Sequence, residues 1–268
     1  MVETTYEAQL RQIAAFDDLL EYFQGQKPRW DGDVAAAQAA YAALSGNLKG
    51  LISSELSREV HVDSTLDAPV GATYPTIKEA VDSLPRSSYA VVRLKAGQTH
   101  EISAHVNVGG MTIDFSYTGD LALGKPVIKH IAALEGGSNV MYGFIGHACS
   151  IQISTCIIQL PTESPDPNAS WVTSGRSVFS GSRGRERFAG FQTCTVTGGV
   201  PEVTLGVISV YESGYAGLGF FVTTLDGPIS AVVAASAGVF NIRKTAFTLA
   251  NGATETDGGT LGTNYLSN

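Results

Sequence analysis

The chain has 268 residues, of which 44% are hydrophobic and only 16% charged, a balance that excludes long disordered stretches and allows a sizeable core. Its formal charge of −8 at pH 7 excludes a general affinity for nucleic acid, which needs a basic face against the phosphates. No uninterrupted apolar run is long enough to span a bilayer, and the opening MVETTYEAQLRQIAAF lacks a basic stretch followed by a continuous apolar core, so we expect synthesis in a cytoplasm and no membrane insertion.

Over residues 3–23, apolar side chains at Tyr6, Leu10, Ile13, Phe16, Leu20 and Phe23 recur every three or four positions, which is helical spacing. Gly25 and Pro28 are expected to end this helix. A second begins near Asp33, where an acidic side chain suits the positive helix end, and continues to about Val60. Within it Val34, Ala37, Tyr41, Leu44, Leu48 and Leu51 alternate steps of three and four, a coiled-coil seam that shifts later to Ile52 and Leu56. Two arrangements satisfy the pattern: a coiled coil between chains, or a hairpin in which the two helices pack on each other, Gly46 and Gly50 weakening the second. In both, residues 1–66 form a helical arm that cannot bury its stripe alone and needs a partner.

Residues 61–71 read as a polar linker. Beyond it, Thr76 and Glu79 stand three apart as in a capping box, the hydroxyl accepting from the Glu79 amide while the carboxylate reaches back. Ile77, Ala80, Val81 and Leu84 put one apolar stripe on the short helix that follows, and Pro85 denies it a further turn. Residues 89–94 are rich in β-branched side chains and read as a strand, with Gly97 at its exit. A short amphipathic helix leading into a long strand-rich region is the pattern of a cap over the first coil of a β-solenoid, whose end otherwise exposes apolar side chains and unpaired backbone. The string TIKEAVDSLP, followed by AVVRLKAGQTHEIS and MTIDF, resembles the entry to right-handed parallel β-helices in bacteriophage tailspikes and tail fibres, and in pectin-acting enzymes. The resemblance implies a mostly β fold: a right-handed parallel β-helix over residues 67–250, preceded by the arm and a capping helix and followed by a polar tail at 251–268.

Met111, Ile113 and Phe115 alternate with Thr112, Asp114 and Ser116, giving one buried and one wet face. The same period returns at Ile151 and Ile153, at Val203, Leu205 and Val207, and at Ile229, Ala231 and Val233, with Gly-Gly pairs at 109, 136, 198 and 258 as turns. No strict repeat is present, so a sandwich of antiparallel strands stays open beside the solenoid. Roughly 170 residues at about 20 to 25 per coil give about seven or eight coils. Residues 161–187 interrupt the ladder with a turn-rich PTESPDPN and a Gly, Ser and Arg stretch, and are expected to protrude as a loop. Trp171 suits stacking on a glycan of the host surface and Arg176, Arg183, Arg185 and Arg187 suit its acidic groups; the alternatives are a solvated cluster or packing on a neighbouring subunit. In YESGYAGLGFF, Tyr211, Tyr215, Phe220 and Phe221 read as core, as inter-subunit packing, or as a sugar-stacking platform.

Glycoside hydrolysis needs two carboxyl groups flanking a scissile bond, and acids beyond the cap are sparse. The pectin methylesterase signature, an Asp within Val-Asp-Phe-Ile-Phe-Gly, has no match, so no catalytic residue is assigned. The histidines at 61, 100, 105, 130 and 147 lack metal-binding spacing, and Cys149, Cys156 and Cys194 are too few for a disulfide framework; Cys156 and Cys194 fall inside apparent strands as small hydrophobes. Gly214, Gly217 and Gly219 are in the wrong order for a dinucleotide fingerprint, and no cofactor or metal is called for.

An arm that must find a partner, a linker and a capped solenoid without a catalytic signature together resemble a subunit of a phage tail fibre or spike. The resemblance implies a non-enzymatic virion structural protein and a homotrimer. It docks on other tail or baseplate proteins through an arm carrying Leu10, Ile13, Leu20, Phe23, Val34, Tyr41, Leu44, Leu48 and Leu51, and presents the β-helix to a host-surface glycan. Two readings compete: a polysaccharide-cleaving lyase or hydrolase, and a purely architectural head fibre or tail adaptor.

Overall fold

The structure, a computed structural model, describes residues 5–172, 175–180, 187–209, 215–233, 239–257 and 265–267. The chain divides into two compact units, Met1–Ser54 and Glu55–Asn268.

The first unit is one helix, α1, Thr5–Leu56, which runs through Gly25 and Pro28. The break expected there does not occur, and with it goes the hairpin of two helices. A proline inside a helix removes the hydrogen bond of its own nitrogen and crowds the carbonyl one turn back, a cost of about 3 kcal/mol, and here the turns on either side carry the helix across. Continuity joins the two stripes into one heptad register: Tyr6, Ile13, Leu20, Lys27, Val34, Tyr41 and Leu48 take one seam position, a, and Gln9, Phe16, Phe23, Trp30, Ala37, Leu44 and Leu51 the other, d. All but Gln9 and Lys27 are apolar. Gly25, Gly32 and Gly46 fall on the position opposite the seam, where an added Cβ meets nothing. Within its own unit the helix has nothing to bury the seam against: Phe16 is 72% exposed and Tyr41 75%, with Leu10, Ile13, Leu20, Phe23, Trp30, Val34 and Leu44 also exposed. The helix ends at Leu56, short of the expected Val60, and Ser57–Val62 is a strand inside the span read as arm.

In the second unit each turn of the chain gives one strand to each of three parallel sheets. The first coil consists of Tyr89–Lys95, Thr99–Ile102 and Val106–Asn107; the second of Thr112–Thr118, Val127–His130 and Phe144–Ile145; the third of Cys149–Ser154, Ile157–Gln159 and Ser177–Ser180. The fourth consists of Arg187–Gln192, Thr195–Thr197 and Leu205–Ser209; the fifth of Tyr215–Phe221, Thr224–Asp226 and Ile229–Val233; the sixth of Val239–Thr245, Thr248–Ala250 and Thr254–Thr256. Ser57–Val62 and Thr73–Tyr74 extend the first sheet at one end and Tyr265–Ser267 at the other, so it has nine strands where the other two have six. The parallel ladders exclude the antiparallel sandwich. Strands also continue past residue 250, through the stretch read as a tail.

The register explains why the coils number fewer than expected. Paired first-sheet residues are 23 apart from Tyr89 to Thr112 and 24 from Gly217 to Asn241, but 38 from Thr112 to Ser150 and 38 again from Ser150 to Phe188. Most of the surplus sits at one corner, between the second and third sheets: an antiparallel hairpin, Ala132–Glu135 with Ser138–Met141, in the second coil and residues 160–176 in the third, while the second coil also carries a longer link between its first two strands, with a short helical turn at Leu121–Leu123. The hairpin turns on Gly136 and Gly137, both at positive φ as a tight two-residue turn requires. The two insertions form one lobe. Asn139, wholly buried, donates to the carbonyls of Asp166 and Ala169 and accepts from the Asp166 amide. A third, shorter insertion at 198–204 joins through Ser164 Oγ, which donates to Glu202 Oε2 at 3.0 Å.

The corner between the first and second sheets is tight and repeated. Thr155, Thr193, Val222 and Ala246 occupy equivalent places in coils three to six, all with φ between 50° and 58°. The amides of Thr155, Thr193 and Val222 each donate to the carbonyl of the coil beyond, at Gln192, Phe221 and Thr245. Cys156, Cys194 and Thr223 follow these corners rather than lying in strands, and turn inward: Cys194 Sγ reaches Ile153 O at 3.2 Å and Thr223 Oγ1 donates to Phe191 O at 3.0 Å. Burial pushes both thiols up, away from the reactive thiolate.

Helix α2, Ile77–Asp82, closes the first end by burying Ile77, Ala80 and Val81. Thr76 Oγ1 accepts from the Glu79 amide at 3.2 Å, and its hydroxyl donates to Glu79 Oε1. The carboxylate reaches back to the cap side chain, not to the cap amide. The expected linker is tied down by Asp63, which accepts from Lys95 Nζ at 2.6 Å, Gln98 Nε2 at 2.8 Å and the Thr65 hydroxyl. Inside, aromatic rings line successive coils, Phe191 on Phe220 at 5.4 Å and Phe220 on Phe247 at 4.6 Å.

Candidate functional site

Of the residues singled out for recognition, the side chains described are those of Trp171 and Arg176. Trp171 is half-buried against the core, and its indole N–H donates to Ser164 Oγ at 3.1 Å, so it belongs to the lobe's packing and not to a stacking surface. Arg176 is paired with Asp257 at 3.0 Å, both side chains largely shielded. Arg187 and Tyr215 each open a first-sheet strand, and their side chains, like those of Leu48 and Leu51, lie outside what is described, as do Arg183, Arg185 and Tyr211 altogether. The segment 161–172 does not protrude freely but is folded around Asn139. The two phenylalanines of the aromatic stretch divide: Phe220 is core, whereas Phe221 stands 43% exposed.

Phe221 points to a different place, the outer face of the first sheet. Along each strand there, alternate residues turn inward, so that Ile151, Ala189, Leu218 and Ile242 are buried while their neighbours face out. Parallel register aligns the outward residues in rows. One row runs Asp114, Gln152, Gly190, Gly219, Arg243; the next runs Thr112, Ser150, Phe188, Gly217, Asn241. Three glycines thus sit side by side in the middle of both rows, and the sheet there presents bare backbone.

Neighbouring side chains lie across the space the glycines leave. A Cβ on Gly190 would come within 2.0 Å of Gln152 Oε1, one on Gly217 within 2.6 Å of Phe188 Cδ1, and one on Gly219 within 3.2 Å of Phe221 Cε2. The result is a groove of about 300 Å³ floored by the strands of coils three to six. Phe188 and Phe221 flank it, Gln152 and Asn241 supply carboxamides, and Arg243 supplies a guanidinium. Arg243 is exposed and has no ion-pair partner among the described residues, whereas the adjacent Lys244 is paired with Glu255. Asn241 Oδ1 is buried and has no hydrogen-bond partner among the described residues. No carboxylate lines the groove among the described residues; the nearest in the rows is Asp114, beyond Gln152, whose carboxyl burial pushes up against the opposing pull of Arg93. Among the described residues the lining therefore offers flat apolar faces, a cation without an ion-pair partner, and an acceptor without a donor.

One sequence signal does point here. In YAGLGFF, glycine alternates with buried residues at period two, so a strand is apolar on its inner face and empty on its outer one. Phe188, Asn241 and Arg243 carry no such mark. Comparison of the chain with protein-family models, with curated proteins and with solved structures gave no match.

Proposed function

We propose that this chain is a non-enzymatic structural subunit of a virion, part of a phage tail fibre or spike. It assembles as a homotrimer through α1, docks on other tail or baseplate proteins with that arm, and presents a right-handed parallel β-helix to the host surface and its glycans. The observation that carries the reading is the unbroken heptad register of α1, whose seam is solvent-exposed in a single chain and precedes a capped stack of parallel coils. A helix with such a seam is stabilised by copies of itself. Parallel, in-register alignment puts each flanking acid, Asp17, Asp31 and Asp33, across from a glutamine, Gln12, Gln26 and Gln38, so like charges do not meet at these positions. Lys27, a lone charge in the seam and paired with Asp31 of its own helix at 2.7 Å, favours that register over shifted ones, which would bury it against apolar layers.

Sedimentation equilibrium of the full chain tests this directly: three copies are expected, and replacing Ile13 and Leu44 by aspartate should give monomers. A wild-type chain that stays monomeric at micromolar concentration would remove the reading. Incubation with host-surface polysaccharide should release no new reducing or unsaturated ends; release would put a polysaccharide-cleaving enzyme in its place.

A further inference from the structure

We infer that the glycine-floored groove of the first sheet is a binding site for an acidic saccharide, which rests on the reading of the solenoid as the recognition element only for where the saccharide would come from. The backbone groups of the floor are already engaged in the parallel ladder, so the groove offers nothing to an extended peptide seeking a strand partner. What it offers are two exposed aromatic side chains, Phe188 and Phe221, on a surface flattened by Gly190, Gly217 and Gly219. A pyranose ring has an apolar C–H face that packs on an aromatic ring and a rim of hydroxyls that needs polar partners at its edge. Asn241 Oδ1, buried and without a donor among the described residues, is placed to accept from such a hydroxyl, and the Gln152 carboxamide stands at the opposite side of the floor. The strands of Gln152 and Arg243 are three inter-strand steps apart, roughly 14 Å, which gives the groove room for a short oligosaccharide.

The charge selects the sugar. Arg243 is the one charged residue lining the groove, exposed and without an ion-pair partner among the described residues, and a guanidinium presents a planar fork matched to a carboxylate. A uronic or sialic acid residue satisfies it, whereas a neutral sugar leaves it solvated. A polyanion such as nucleic acid is disfavoured, since the groove holds one cation on a chain of net charge −8.

Isothermal titration of the full chain with trigalacturonate, with an α-linked sialic acid trimer and with neutral maltotriose tests the inference. At least one acidic trimer should bind at least tenfold tighter than maltotriose, and more weakly as salt is raised. Arg243→Gln should weaken the acidic trimer at least tenfold while leaving any maltotriose binding unchanged. Phe221→Ala and Asn241→Ala should weaken the acidic trimer by a similar factor. Arg243 is an exposed side chain, so its variant should melt within a degree or two of wild type and report on binding alone. No binding of either acidic trimer at millimolar concentration, or binding that Arg243→Gln leaves intact, overturns the site. Sedimentation separates this from the fibre reading: trimers that bind neither acid overturn the groove alone, and a monomer that binds one overturns the fibre alone.

Discussion

The side-chain amide of Asn139 closes on the backbone of Asp166 from both sides, Nδ2 donating to its carbonyl at 2.7 Å and Oδ1 accepting from its amide at 3.1 Å. A third bond, Nδ2 to Ala169 O at 3.0 Å, makes this one buried side chain the peg on which the lobe's longest segment hangs. Asn139→Ala leaves the Asp166 amide and the Ala169 carbonyl without their partner, the Asp166 carbonyl keeping the Ala169 amide, and should cost about 2 kcal/mol. The urea midpoint should fall, and proteolysis within residues 161–172 should speed up.

Acid should weaken the fold through its buried histidines before Asp63 titrates. His130 is wholly buried, Nδ1 lying 2.8 Å from Tyr142 O, and burial pushes its pKa down to about 4; burial depresses His100 as well. Both stay neutral in the folded chain while the unfolded chain takes up protons near pH 6.5, so stability holds above about pH 7 and falls as pH drops from about 6.5 towards 4. Asp63, held well below the usual carboxylate range by Lys95, adds a further loss only below about pH 4. Thermal melts across pH 8 to 4.5 check the order, and His130→Leu should flatten the slope.

Val222 holds φ at 50°, a conformation that costs a β-branched residue about 1 kcal/mol or more, and its side chain is 59% exposed. Asparagine tolerates that conformation. Val222→Asn should therefore raise stability by about 1 kcal/mol, seen as a higher urea midpoint with an unchanged slope.

Removing Thr76's hydroxyl separates capping from packing at the solenoid's first end. Thr76→Ala takes the acceptor from the Glu79 amide and should cost about 1 kcal/mol, whereas Thr76→Ser should cost a few tenths. In α1, Gly32→Ala places a methyl in open space opposite the seam and should raise the arm's melting temperature without altering the number of chains in the assembly.

Local signals in the sequence reached local structure. The capping pair Thr76 and Glu79, the stripe of Ile77, Ala80 and Val81, and the alternation at Ile113 and Phe115 all stand where side-chain chemistry and period placed them. Pro28 misled because its cost to a helix is read as a stop, although one lost hydrogen bond in a helix of 52 residues leaves the heptad register intact. The groove was illegible for a different reason. Gly190 and Gly219, or Phe188 and Gly217, become neighbours only through coil lengths that vary with each insertion, and no period in the chain announces them. Trp171 and Arg176 drew attention by type, yet their roles are decided by Ser164, within the same segment, and by Asp257, 81 positions further on.

The longest insertions, in coils two, three and four, lie at the corner between the second and third sheets, while in coils three to six the corner marked by Thr155, Thr193, Val222 and Ala246 keeps to its tight turn. New chain can therefore be spliced in at that vertex without entering any ladder. A foreign epitope placed at the Gly136–Gly137 turn would be carried on the flank of a scaffold whose pairing it never touches, which suits this fold to use as a display platform.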